Sequence, residues 1–199
     1  MNAWRQILCS GIVALMASCA SDAPQPRSIV LQAMGQPTPG AAVLPPEVVV
    51  VVDRVILPDY LKRNALIERL ANNELIYHET VRWAEPLTEA VPRDLADELS
   101  SLFARSVTTA RLRSDGGVPQ NTRLLWVDVR RLDADRQGVT TLDAHYTWMR
   151  EGQAVTPWRR GQYIAQSVST DPQHVAAAHS QVLQALAKDA AQSLLGAKP

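Results

Sequence analysis

Few residues in this sequence have the types and spacing that chemistry requires. Asp143 and His145 stand two apart in the alternating stretch Thr140 to Arg150, so their side chains share one face of a strand. A carboxylate beside an imidazole can work as an acid–base pair. No third residue completes a relay, and a solvated sheet face is the plainer reading of the same spacing. His174 and His179 lie five apart in a helical stretch, which does not set them on one face as metal ligands. Asp133 and Asp135 form an acidic loop without the further oxygen ligands of a calcium site, and read as solvated turn residues. No G-x-S-x-G elbow, Walker loop, G-x-G-x-x-G or H-E-x-x-H occurs. Neither catalysis nor a cofactor or metal is expected.

Charge narrows the partners. The 199 residues carry 20 Lys+Arg against 20 Asp+Glu, which argues against nucleic-acid binding and against a polybasic membrane patch. Five Trp and four Tyr against one Phe suit boundaries between apolar and wet surroundings. A partner surface and half-buried positions on a one-sided sheet explain that bias equally well.

The cysteine with a recognisable setting is Cys19. Arg5 supplies a positive start and Ile7 to Ala17 a short apolar run, interrupted by Ser10 and Gly11 and too short to span a bilayer. Leu15-Met16-Ala17-Ser18-Cys19 then resembles the lipobox of bacterial lipoproteins, which implies cleavage before Cys19 and its lipidation. An ordinary secretory signal is the alternative. Cys9 would leave with residues 1–18, and a lone unmodified Cys19 would fit an oxidising compartment poorly. Several acyl chains, at about 0.8 kcal/mol per buried CH₂, anchor a protein durably. Ala20 after the cysteine, rather than Asp, favours the outer membrane. Residues 19–27 then form a Pro-rich tether, roughly 25 Å long when extended, and residues 28–197 one domain.

The domain is organised around Arg82-Trp83-Ala84-Glu85-Pro86-Leu87, where the apolar period changes. Before it, Ser28 to Ala33, Glu47 to Leu57, Ala65 to Leu70 and Glu74 to Val81 read as strands, the second buried on both faces. Ala71-Asn72-Asn73 makes the turn between the last two. After it, Leu87, Val91, Leu95, Leu99 and Leu102 fall at helical spacing to about Arg105. Pro92 either kinks that helix or marks its true first turn. Thr108 to Arg113 is a short candidate strand closed by Asp115-Gly116-Gly117. Arg123 to Leu132, Thr140 to Arg150 and Thr156 to Val168 follow, antiparallel neighbours because their loops are short. Asp171-Pro172 starts a final helix that ends at Gly196. The fold class is α+β: an antiparallel-rich β-sheet with two α-helices packed on one face, in a single domain.

Val48 to Val52, Leu57-Pro58-Asp59-Tyr60-Leu61, Leu66-Ile67 and above all Arg82 to Leu87, with Leu95 and Leu99 beyond, resemble the ABC-type transport auxiliary lipoproteins, of which the paraquat-inducible C lipoproteins are the best-known branch. Weaker agreement runs through Val127-Asp128-Val129, Leu142-Asp143-Ala144 and His179 to Leu183. Where that family often opens on Tyr-Tyr-x-Leu, this chain has Ile29-Val30-Leu31. The resemblance implies a lipid-anchored protein on the periplasmic face of the outer membrane, carrying no reaction of its own. Its implied partners are a periplasmic protein built from mammalian-cell-entry (MCE) domains and an inner-membrane transporter that move lipids or other hydrophobic molecules. A homo-oligomeric ring is one arrangement it implies. A structural envelope lipoprotein and a periplasmic hydrolase are the competing readings. Trp83 is either a core residue closing the sheet–helix corner, with Arg82 and Glu85 as a local ion pair, or part of a partner-binding edge; Tyr60 poses the same choice.

Overall fold

The strand that assembles the sheet is β6, Thr122–Asp135, whose length lets one edge serve two partners. In the computed structural model of the chain, residues 25–35, 44–110 and 119–197 are described. The leader 1–18, Cys19 and the turn Asp115-Gly116-Gly117 lie outside them. One edge of β6 pairs antiparallel with β7, Val139–Arg150. The connecting turn uses Gly138 at φ +77, where a side chain would be strained. The other edge takes β2, Val49–Ile56, along its first half and β3, Ala65–Arg69, at its end, both parallel.

The sheet grows outward from there. β4, Leu75–Trp83, pairs antiparallel with β3 across a turn in which Asn73 takes φ 66, and β1, Arg27–Ile29, lies parallel on the last residues of β4. Thr108–Thr109 forms β5 beside β2. On the far side of β7 stand β8, Gln153–Ala154, and β9, Arg159–Gln166, both antiparallel to it. The long ladders are therefore antiparallel, while β2 and β3 join β6 in parallel. The helices are α1, Leu87–Phe103, and α2, Pro172–Leu195.

Alternation decides which face is covered. Leu125, Val127 and Val129 of β6 and Leu142, Ala144, Tyr146 and Trp148 of β7 point to one side and are buried under the two helices, which also pack on each other. Trp148 Nε1 donates to the Ala190 carbonyl at 2.8 Å, tying α2 to the sheet where the ring has lost all contact with water. Burial of each such large apolar side chain contributes roughly 2–3 kcal/mol. The helix starts follow their sequence signals. Asp171 caps α2, accepting from Gln173 N at 3.0 Å, with Pro172 in the first turn. Pro86 is the N-cap of α1, which runs on through Pro92, so its first turn is at Leu87.

Three strand expectations need correction, the first being Ser28 to Ala33, which pairs with β4 only as far as Ile29. β2 is buried on both faces only at Val50 to Val52; a register shift between Val52 and Arg54 then exposes alternate residues, Ile56 among them. The Thr156 to Val168 stretch forms a strand only from Arg159 to Gln166.

Candidate functional site

The residues singled out by sequence divide between two structural clusters. At the corner, Trp83 ends β4 almost wholly buried, and its ring meets His179 of α2 edge-on at 5.2 Å between centroids. Backbone bonds fix it from both sides: Trp83 N donates to Asn64 O, and Ala84 N donates to Ile29 O at 2.8 Å. As placed, Trp83 belongs to the core. Arg82 and Glu85 do not pair with each other. The Arg82 guanidinium donates to the Glu79 carbonyl, while Glu85 is bonded by both terminal nitrogens of Arg93, which hold its carboxyl below the usual range. The reason is geometric: Arg82 leaves the exposed side of β4, whereas Glu85 stands just before the Pro86 cap, eight residues ahead of Arg93 on α1 and within reach of its side chain.

Tyr60 lies in a short 3-10 turn, Asp59–Lys62, that plugs the junction where β2 gives way to β3 along β6. Its hydroxyl donates to Asp133 Oδ2 at 3.0 Å and accepts from Leu132 N at 3.1 Å. Burial pushes the phenol up to about 12. Asp133 is no solvated turn residue: it has no exposed side-chain surface and accepts from Arg69 at 2.7 Å and Arg131 at 2.8 Å. Bonding to that carboxylate raises the Arg69 guanidinium further above its ordinary value. Asp135 does form the turn, accepting from Gln137 N and Val139 N. Sequence reasoning missed this four-residue polar core because nothing near Asp133 in the chain announces Tyr60 or Arg69.

The pair considered for acid–base work lies together on β7, but its carboxylate is already taken by a cation. Asp143 on β7 is bonded by Arg160 of β9, which holds its carboxyl below the ordinary range and makes it a weak proton acceptor. His174 is exposed beside Ser169, and His179 is buried with its Nδ1 donating to Val175 O at 2.8 Å; burial pushes its pKa down. Among the described residues no group of three metal-ligating side chains converges, and no helix is long and apolar enough to cross a membrane.

The remaining feature is how the N-terminal segment is held. Arg27 pairs with Asp171 at 3.2 Å, β1 adds to β4, and residues 30–35 cross the two helices. Gln32 N donates to Ser180 Oγ at 3.0 Å, and the Met34 and Gly35 amides both donate to the buried Glu98 carboxylate. Beside this strap runs an open groove of about 580 Å³, bounded by Ile29, Val30 and Met34 on one side and by Gln173, Ala176 and Ala177 of α2 on the other.

Two crystal structures share the architecture. One, of an uncharacterized protein, superposes with a TM-score of 0.65 at 16% identity, covering 85% of this chain and 99% of that one. The other, protein XCC0632 from Xanthomonas campestris, has a TM-score of 0.56 at 20% identity, covering 87% of this chain and 91% of that one. These identities speak to the fold alone. No curated protein matches the chain in sequence. The model of the family described as the ABC-type transport auxiliary lipoprotein component matches residues 30–191, from the strap to the last turns of α2. The chain belongs to that family.

Proposed function

We propose that this protein is an outer-membrane lipoprotein that serves as the periplasmic docking component of an MCE-type intermembrane transport system for lipids or other hydrophobic molecules. The family membership over residues 30–191 carries the proposal. The firm seating of Arg27 to Gly35 supports it: a lipid on Cys19, only a short tether away, would hold the whole domain near the membrane surface. The polar clusters support a scaffold over a hydrolase, since Asp133 and Asp143 are both committed to arginines.

Mild crosslinking in cells followed by purification of the tagged full chain is expected to recover an MCE-domain protein, and Cys19→Ala is expected to release the chain from the membrane fraction. Recovery of a cell-wall or secretion assembly instead would favour the structural-lipoprotein reading. A Cys19→Ala chain that stays in the outer membrane would remove the anchor from the proposal.

A further inference from the structure

β9 is an edge strand with neither a bulge nor a proline, and Arg159 and Arg160 at its start are its only charged residues. It pairs with β7 from Val139↔Gln166 to Tyr146↔Arg159 with no register shift, and contains no proline. Bulges, prolines and inward charges are what ordinarily blunt such edges. Ser167 N donates to Gly138 O at 3.0 Å, which fixes the phase of the ladder. Gly161, Tyr163 and Ala165 therefore turn their backbone groups toward β7. Arg160, Gln162, Ile164 and Gln166 turn theirs outward, and among the described residues no strand takes them up. Exposed apolar side chains line the same edge: Trp158 is 55% exposed, Ile164 65% and Val168 90%.

We propose that this edge pairs with β9 of a second copy of the chain, antiparallel and centred on Tyr163, so that one sheet continues across a two-fold axis. The order of residues carries the choice of occupant. Centring on Tyr163 sets Arg160 opposite Gln166 and Gln162 opposite Ile164, engaging all four outward residues of each strand. The same register sets Trp158 opposite Val168 at both ends, so each exposed apolar residue outside the strand finds the other. Arg159 falls opposite Ser167, and the two arginines of one copy lie at the far end from those of its partner. Moving the centre to Gln162 sets Arg160 against Ile164, and moving it to Ile164 sets Arg160 against Val168; both moves also part Trp158 from Val168. Only the Tyr163 register satisfies charge, backbone and apolar surface together. The contact is isologous and closes at two copies. It goes beyond the docking role and does not depend on it.

The test uses the full chain in detergent. In the double variant Arg160→Cys/Gln166→Cys, the introduced thiols face each other across the axis at the Cα spacing of a hydrogen-bonded pair, within disulfide reach. Mild oxidation is expected to link it into a dimer, while each single variant stays at the background of the unsubstituted chain. Gln162→Pro removes one outward donor from each copy, leaves the β7 ladder intact, and is expected to weaken self-association about tenfold or more with an unchanged circular dichroism spectrum. The proposal fails if the double variant links no better than the singles, or if the linked species contains a different protein. It fails equally if the folded proline variant associates as the wild type does.

Discussion

Asp133 and Asp143 are both strand aspartates bonded to arginine, and their surroundings assign them opposite weights. Asp133 has no exposed side-chain surface and faces Arg69, Arg131 and the Tyr60 hydroxyl. Removing it strands Arg69, itself largely covered, and takes away the phenol's acceptor. Breaking a buried pair from one side is costly because the other charge stays behind, so Asp133→Ala is expected to destabilise the fold by about 3 kcal/mol. Asp143 bonds an arginine that is two-thirds exposed, and water can replace it. Asp143→Ala is expected to leave the urea midpoint nearly unmoved; equal losses in the two variants would contradict this ranking. The difference was not legible in the sequence. Asp143 drew attention through its spacing to His145, a local pattern. A register shift between Val129 and Arg131 sets which face Asp133 takes, and Tyr60 and Arg69 far upstream meet it there; none of this leaves a local trace.

The elements that local rules can specify came out as the sequence implied. The hairpins β3–β4 and β6–β7 have short turns, the alternation of Leu125, Val127 and Val129 marks a covered face, and Asp171-Pro172 starts α2. The parallel seating of β2 on β6 was not legible, since it joins strands far apart in the chain through a long connection that no turn residue signals. The strap is the clearest case. Ile29 and Leu31 looked like one more short strand, yet pairing with β4 stops at Ile29 and the chain crosses the helices instead. Glu98 makes this possible, a carboxylate buried on α1 accepting two backbone amides, while Ser101 donates to Gly35 O at 3.2 Å. Gly35 approaches α1 so closely that a Cβ there would lie 2.7 Å from the Ser101 side chain. Glu98→Ala is expected to speed amide exchange at Met34 and Gly35 about tenfold or more while the β6–β7 amides keep their protection. Uniform loss of protection across the domain would mean that Glu98 supports the whole core rather than the strap.

The pH response of the whole molecule should be governed by two buried groups whose effects oppose each other. Asp94 on α1 is buried, its Oδ2 lacks a hydrogen-bond partner among the described residues, and burial together with Glu98 and Asp97 pushes it up to about 7 against an ordinary 3.8, with Arg93 pulling weakly the other way. Between those values the fold binds a proton that the unfolded chain has released, so this contribution is present below pH 3.8 and lost as pH rises through 7. His179 works in reverse. Burial holds its pKa below 6.5, so the unfolded chain protonates first, and stability present above pH 6.5 is lost as pH falls below it. Above about pH 5, the carboxylates held low by arginines, Glu85 and Asp143, stay ionised and add little slope. In the wild type the two buried groups therefore cancel in part between pH 5 and 6.5. Asp94→Asn is expected to gain on the order of 2 kcal/mol at pH 8, to hold that level down to about pH 6.5 and to lose stability below it, because only the histidine slope remains. His179→Phe, which keeps a ring against Trp83, is expected to gain stability over the same fall in pH. Urea unfolding of the three proteins at pH 5, 6, 7 and 8 separates the slopes. Parallel curves for all three would show that neither group carries the linkage that its burial implies.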